Sequence, residues 1–182
     1  MNLSAVITQI RQYTTMFGAN VAGSANYAEG LETVASLPLP ACFVYPMEDS
    51  ITETSGAGGS LRQEVEERIA VVVEIDNSIA SGGDRRGQAA VNTIENVKYA
   101  LFKALLNWNP LPIGRYAHGM WYGGGHLLGF DRARLFFEFE FYLTSFIDED
   151  DGFVPPAAPL EEINIYDISH PPLEMDIILP QS

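Results

Sequence analysis

A chain of 182 residues with 47% apolar side chains is long enough for one domain with a full core and too apolar to be disordered. Its net charge of −14 argues against tight gripping of a nucleic-acid backbone, which needs lysine and arginine to displace counterions. No run approaches the roughly 20 apolar residues of a bilayer span, no basic stretch precedes the first apolar residues as in a signal peptide, and the single cysteine excludes an intrachain disulfide and fits a reducing compartment.

The first expected element is an amphipathic helix over residues 2–17. Leu3, Val6, Ile10, Tyr13 and Phe17 fall at steps of three and four and so share one stripe. Asn2 or Ser4 can cap it, and Gly18 can end it. Residues 19–36 are rich in small side chains, with room for a short helix around Tyr27–Val34. Residues 37–40, with prolines at 38 and 40, are extended, because a residue before proline is pushed out of the α region. They lead into a short strand, Ala41–Tyr45, closed by Pro46. Cys42 lies inside that apolar run, which makes it a buried, inert thiol. Residues 47–61 are dominated by Gly, Ser and Thr and read as a mobile loop. The loop contains no lysine, so it is not a Walker phosphate loop.

Residues 62–76 alternate with a period of two. Val65, Ile69, Val71, Val73 and Ile75 share one face, and Glu64, Glu66, Arg68, Glu74 and Asp76 the other, as in a strand with one dry side. Glu67 interrupts the dry side, near an outer end expected to project beyond the core. Residues 77–83 form a turn, and Ser81 or Asp84 caps a long helix running to Asn107. Its stripe is Val91, Ile94, Val97, Leu101, Leu105 and Trp108. Ala90 and Ala104 allow close approach to a sheet, Lys98 and Lys103 suit the C-terminal half, and Pro110 stops the helix. A third strand spans 115–129 with a break at Gly123–Gly125. Those glycines make room for rings, with Gly123 and Gly125 facing Phe139 and Phe137, or else form a plain flexible loop.

The strongest signal is residues 132–146. Ala133, Leu135, Phe137, Phe139, Phe141 and Leu143 lie on one face, and Arg132, Arg134, Phe136, Glu138, Glu140, Tyr142 and Thr144 on the other. The three phenylalanines make a floor that the long helix is expected to cover. Beyond it, residues 148–182 hold nine acids, six prolines and no Lys or Arg, so they carry −9 and leave −5 for residues 1–147. The short apolar runs at Ile163–Tyr166 and Ile177–Leu179 suggest an arm pairing on another subunit or on the parent sheet. A partly disordered terminus is the other reading. The fold class expected is α+β. A mainly antiparallel sheet is packed by one long helix and an N-terminal helix, with a domain at 1–147 and an extended acidic C-terminal arm at 148–182.

No pattern of residues carries catalysis. His118 and His126 would sit roughly 27 Å apart on one strand at about 3.3 Å per residue, and with His170 they form no zinc-ligand spacing. Glu138 and Glu140 share a face, but no cleft is implied, and a solvated or interface surface is the stronger reading. No catalytic, cofactor or metal residues are therefore expected. The candidates are for subunit contact. Phe136, Tyr142 and Phe146 lie beside Glu138 and Glu140 on the wetter face of the last strand, unless helix 2–17 covers them. Arg85 and Arg86 are available to pair with a neighbour's acids. Ile163, Ile165, Tyr166, Ile177 and Ile178 belong to the arm.

Residues 65–76, the helix 89–108, and Met120–His126 leading into Leu135–Phe141 resemble, in this order, the tail terminator (tail-completion) proteins of long-tailed bacteriophages. The resemblance covers roughly residues 1–147; the acidic extension departs from it. It implies a structural subunit that forms a homo-oligomeric ring, usually a hexamer, capping the finished tail tube and joining it to the head. Its partners would be copies of itself, the tail tube protein and head–tail connector proteins, in the virion at the tail–head junction after synthesis in the host bacterial cytoplasm. DNA would pass through the lumen without specific binding. No catalysis, no cofactor and no membrane are implied. A head–tail connector or another minor tail protein is the nearest alternative. An enzyme would need a pocket gathering His118, His126 or Glu138.

Overall fold

The two long alternating segments pair with each other over their whole length. Strands β4 (Arg62–Asp76) and β6 (Arg134–Asp148) run antiparallel in unbroken register from Arg62 opposite Asp148 to Asp76 opposite Arg134. This computed structural model describes residues 1–23, 38–55, 62–77, 88–111, 115, 118–130, 133–152, 163–165 and 175–177. The remaining elements are helix α1 (Leu3–Tyr13) and strands β1 (Val21–Gly23), β2 (Ala41–Pro46) and β3 (Ser50–Ser55), then helix α2 (Gln88–Leu105) and strands β5 (Trp121–Phe130), β7 (Ile163–Ile165) and β8 (Met175–Ile177). The main sheet has the order β1-β2-β4-β6-β5, with β3 also on β4. Among the described residues only β1 and β2 pair in parallel, so the fold is α+β with a mixed, mostly antiparallel sheet. Among the described residues no helix is long and apolar enough to cross a membrane.

Both helices pack on the same side of this sheet. Val6 and Ile10 of α1, and Ile94, Val97, Leu101, Ala104 and Leu105 of α2, join Ile69, Val71, Val73, Phe139 and Phe141 in one buried cluster. The phenylalanine floor is thus covered as its alternation requires. Phe102 stands edge-on to Phe141 with ring centroids 6.5 Å apart. Gln9 Nε2 donates to the Ala104 carbonyl at 3.0 Å, tying the helices together. Asn2 is the N-cap, its side chain accepting from the amides of Ser4 and Ala5.

Several boundaries differ from expectation. Helix α1 stops at Tyr13, which is 61% exposed, because Thr14 turns extended. Phe17 reaches the core from the turn that follows, with Gly18 in the left-handed region. Val91 is 56% exposed rather than part of the buried stripe. Helix α2 ends before Asn107, which adopts a left-handed φ of 59°. There the Asn107 amide donates to the Met120 carbonyl at 2.7 Å, and the Met120 amide donates to the Trp108 carbonyl at 2.8 Å. Gly119 lies so close that a Cβ would meet the Asn107 carbonyl at 2.5 Å.

The expected loop 47–61 contains strand β3. Its partner explains it. Strand β2 reaches only Ile69–Glu74 of β4, and β3 pairs with the outer stretch Arg62–Glu66 that would otherwise be a bare edge. Glu67 is buried rather than projecting, and pairs with the Met1 amino group. The third strand begins at Trp121 and runs through the glycines without a break, accommodating them with bulges between Tyr122 and Gly124 and between Leu127 and Gly129. Gly125 therefore stands opposite Phe139 in register, yet a Cβ on it would meet the Phe137 ring at 2.9 Å, so this glycine does make room for that ring. Contacts divide the chain into Met1–Glu149 and Asp150–Ser182. In the second unit β7 and β8 pair antiparallel with each other. The expected helix at 27–34 and the capping residues Ser81 and Asp84 lie outside the described residues.

Candidate functional site on the helix-free face of the sheet

Alternation places one set of β4 and β6 side chains under the helices and the other set on the opposite face, where no helix packs among the described residues. Helix α1 therefore does not cover Phe136, Tyr142 and Phe146. The face has three zones along β6. At one end Phe136 packs against a small apolar group, Ala41, Phe43 and Val72, which are themselves buried. Next to it Arg134 pairs with the buried Glu74.

The middle zone is acidic. Register sets Val72 and His126 on either side of Glu138, and Ala70 and Gly124 on either side of Glu140. Glu138 is buried. Its Oε2 accepts from the Tyr45 hydroxyl, and its Oε1 lies 3.8 Å from His126 Nε2. Glu140 Oε2 accepts from the Tyr142 hydroxyl at 2.9 Å. Desolvation, reinforced by the hydrogen bond to Glu140, pushes the Tyr142 phenol above its ordinary value. Ligand atoms of His126, Glu138 and Glu140 all lie within 4.8 Å of one another. The expectation of no metal ligands rested on the spacing of the histidines. It did not consider one histidine meeting two carboxylates across a strand pair.

The third zone combines aromatics with arginines. Trp121 and Tyr142 stack at 4.9 Å between centroids. The Arg68 guanidinium lies 4.9 Å from the Tyr142 ring while donating to Glu66. Arg62 sits 3.8 Å over the Phe146 ring, beside a hollow of about 280 Å³ lined by Glu53, Arg62, Glu64 and Phe146. A Cβ at Gly123 would fall 1.4 Å from the Tyr142 ring, so the glycine leaves the space that this ring occupies. Trp121 remains 45% exposed. Aromatic and arginine side chains gathered on one strand face suit contact with another protein surface.

The structure thus brings Phe136, Glu138, Glu140, Tyr142 and Phe146 onto one face. Arg85, Arg86, Tyr166, Ile178 and His170 lie outside the described residues. Ile163, Ile165 and Ile177 fall in β7 and β8. His118 is exposed and precedes β5. Sequence reasoning missed Tyr45, Arg62, Trp121 and His126 as members of this surface. The parity of Arg62 was visible, but Tyr45 joins only through the β2–β4 pairing, and Trp121 and His126 only through a β5–β6 register that includes bulges. Burial pushes the Cys42 thiol up, as expected for an inert cysteine.

The family model described as "Phage tail terminator protein" matches residues 1–150. Among solved structures, a chain described as "Virion of native gene transfer agent (GTA) particle" is similar at 17% identity and a TM-score of 0.45, covering 78% of this chain and 92% of its own. A search of curated proteins finds no match.

Proposed function

The chain belongs to the phage tail terminator family and is a structural protein of the phage virion, and we propose that its copies close into a ring, a hexamer, on the finished tail tube. The ring ends tube polymerisation and joins the tail to the head. Its function is contact, without catalysis. The observation that carries this reading is the extent of the match. Residues 1–150 span the whole of the first unit, Met1–Glu149, with its sheet, both helices and the helix-free face.

The physics of the chain supports the same role. Ring closure needs two unlike patches on each subunit. The Trp121–Tyr142–Arg68 zone supplies an aromatic and cationic patch, and residues 148–182 supply an acidic one as an arm. A net charge of −14 suits a lumen that lets DNA pass without holding it. The tail tube protein and head–tail connector proteins are the partners in this reading, at the tail–head junction.

Electron microscopy of particles made with and without the protein tests it. Tails of uncontrolled length in its absence are the expected result. Tails of normal length that fail to join heads would instead favour a connector, and normal particles would overturn both readings.

A further inference from the structure

We propose that His126, Glu138 and Glu140 form a binding site for a divalent transition-metal ion of the zinc class. Three features of the helix-free face carry this. The first is the donor set. One imidazole and two carboxylates come together across the β5–β6 pair, with ligand atoms within 4.8 Å of one another. An imidazole nitrogen beside carboxylate oxygens suits zinc and its neighbours rather than magnesium or calcium, which take oxygen ligands.

The second is how the carboxylates are held. The Tyr45 hydroxyl donates to Oε2 of Glu138, and the Tyr142 hydroxyl donates to Oε2 of Glu140. Each phenol fixes one oxygen and leaves the other for a cation, the way outer hydrogen bonds orient the ligands of metal sites. Glu138 is more than nine-tenths buried, and among the described residues its Oε1 faces only His126 Nε2, at 3.8 Å. A largely buried carboxylate gains from a cation placed against its second oxygen. One imidazole cannot neutralise two carboxylates, whereas a dication bound to all three groups can.

The third is space. Gly124 stands opposite Glu140, and nothing lies within 4 Å of where its Cβ would be. The ion would have open room beside it for water or for a group from a neighbouring protein. Bond lengths of about 2.0–2.2 Å require the three ligand atoms to draw in. The exposed His126 and the half-buried Glu140 can rotate to do so while Glu138 stays in place. The bound ion clips edge strand β5 to β6 next to its bulge.

Metal capture by these side chains does not depend on ring formation, so it is tested on the full chain in solution. Protein stripped with a chelator and dialysed is titrated with Co(II), followed by visible absorption, and then with Zn(II), followed by thermal unfolding. One Co(II) per chain is expected, with d–d bands that Zn(II) abolishes, and Zn(II) raises the unfolding temperature. His126→Ala and Glu140→Gln each weaken binding by more than about 100-fold, and Tyr45→Phe by about 10-fold, as for an outer-shell partner. His170→Gln leaves binding unchanged. Absence of d–d bands overturns the proposal. So does equal affinity in His126→Ala, which would put the ion on the acidic stretch 148–182. If a variant misfolds, imidazole resonances of the wild-type chain decide. Zn(II) shifting His126 alone supports the site, and a shift of only another histidine, or of none, overturns it.

Discussion

The two faces of the β4–β6 pair are built from alternate residues of the same two strands, yet they are stabilised differently. Under the helices, Ile69, Val71, Val73, Phe139 and Phe141 are 0–1% exposed, and the energy there is burial of apolar surface. On the other face their neighbours are the buried Ala70 and Val72 together with Arg68, Glu74, Glu138, Glu140 and Tyr142, the polar ones held by side-chain hydrogen bonds and ring contacts. The difference assigns the two faces different work. One side makes the protein fold, and the other is, in the proposed reading, the side that touches a neighbour.

Substitutions can break that contrast, and the largest effect belongs under the helices. Phe139→Ala should lower unfolding free energy by about 3–5 kcal/mol, read by chemical denaturation. A loss below about 1 kcal/mol would mean the covered face is not the folding core. Gly123→Ala forces its Cβ into the Tyr142 ring and should cost about 1–3 kcal/mol, the usual range for overpacking. It should also break the Trp121–Tyr142 stack, visible as a change in tryptophan emission. Trp121→Ala should cost about 1 kcal/mol of folding stability, the scale of an aromatic pair. The same variant should abolish ring formation on tails, seen by electron microscopy. Normal capping by that variant would remove the aromatic zone from the interface.

The smallest effect is a dependence on pH. The folded Tyr142 phenol titrates above its ordinary value of 10.0. The native state therefore holds that proton more tightly than the unfolded chain does. The contribution to stability is complete below about pH 10 and fades as pH climbs through the folded value. Wild-type protein should lose stability across that alkaline window more steeply than Tyr142→Phe. Parallel slopes would show that the Tyr142–Glu140 contact carries no stability.

The strands that alternate strictly were legible from residue order alone. The parity of Arg62–Asp76 and Arg134–Asp148 assigned each side chain to its face, because a period of two leaves no other strand arrangement. The spacing of Ile94, Val97 and Leu101 likewise marked the covering side of α2. Strand β3 was hidden by its Ser and Thr content. Its cause is the length of β4, which β2 alone cannot cover, and that is a fact about pairing rather than about residues 50–55. Glu67 looked misplaced because its partner, the Met1 amino group, is 66 residues away. The meeting of His126 with Glu138 was hidden for a similar reason. It depends on the bulge between Leu127 and Gly129, on the turn side of His126, which shifts the register by a residue that no local pattern announces.

The junction of α2 with β5 bears on how the particle would carry force. Between Asn107 and Met120 the connection is backbone to backbone, two short hydrogen bonds with Gly119 pressed against the helix end. Trp121 follows at once. A load applied at this tryptophan by an adjoining protein would enter α2 through the main chain, with no pliable side chain between them to cushion it. The lid helix would then act as a strut behind the docking surface, stiff along the line on which a neighbour pushes.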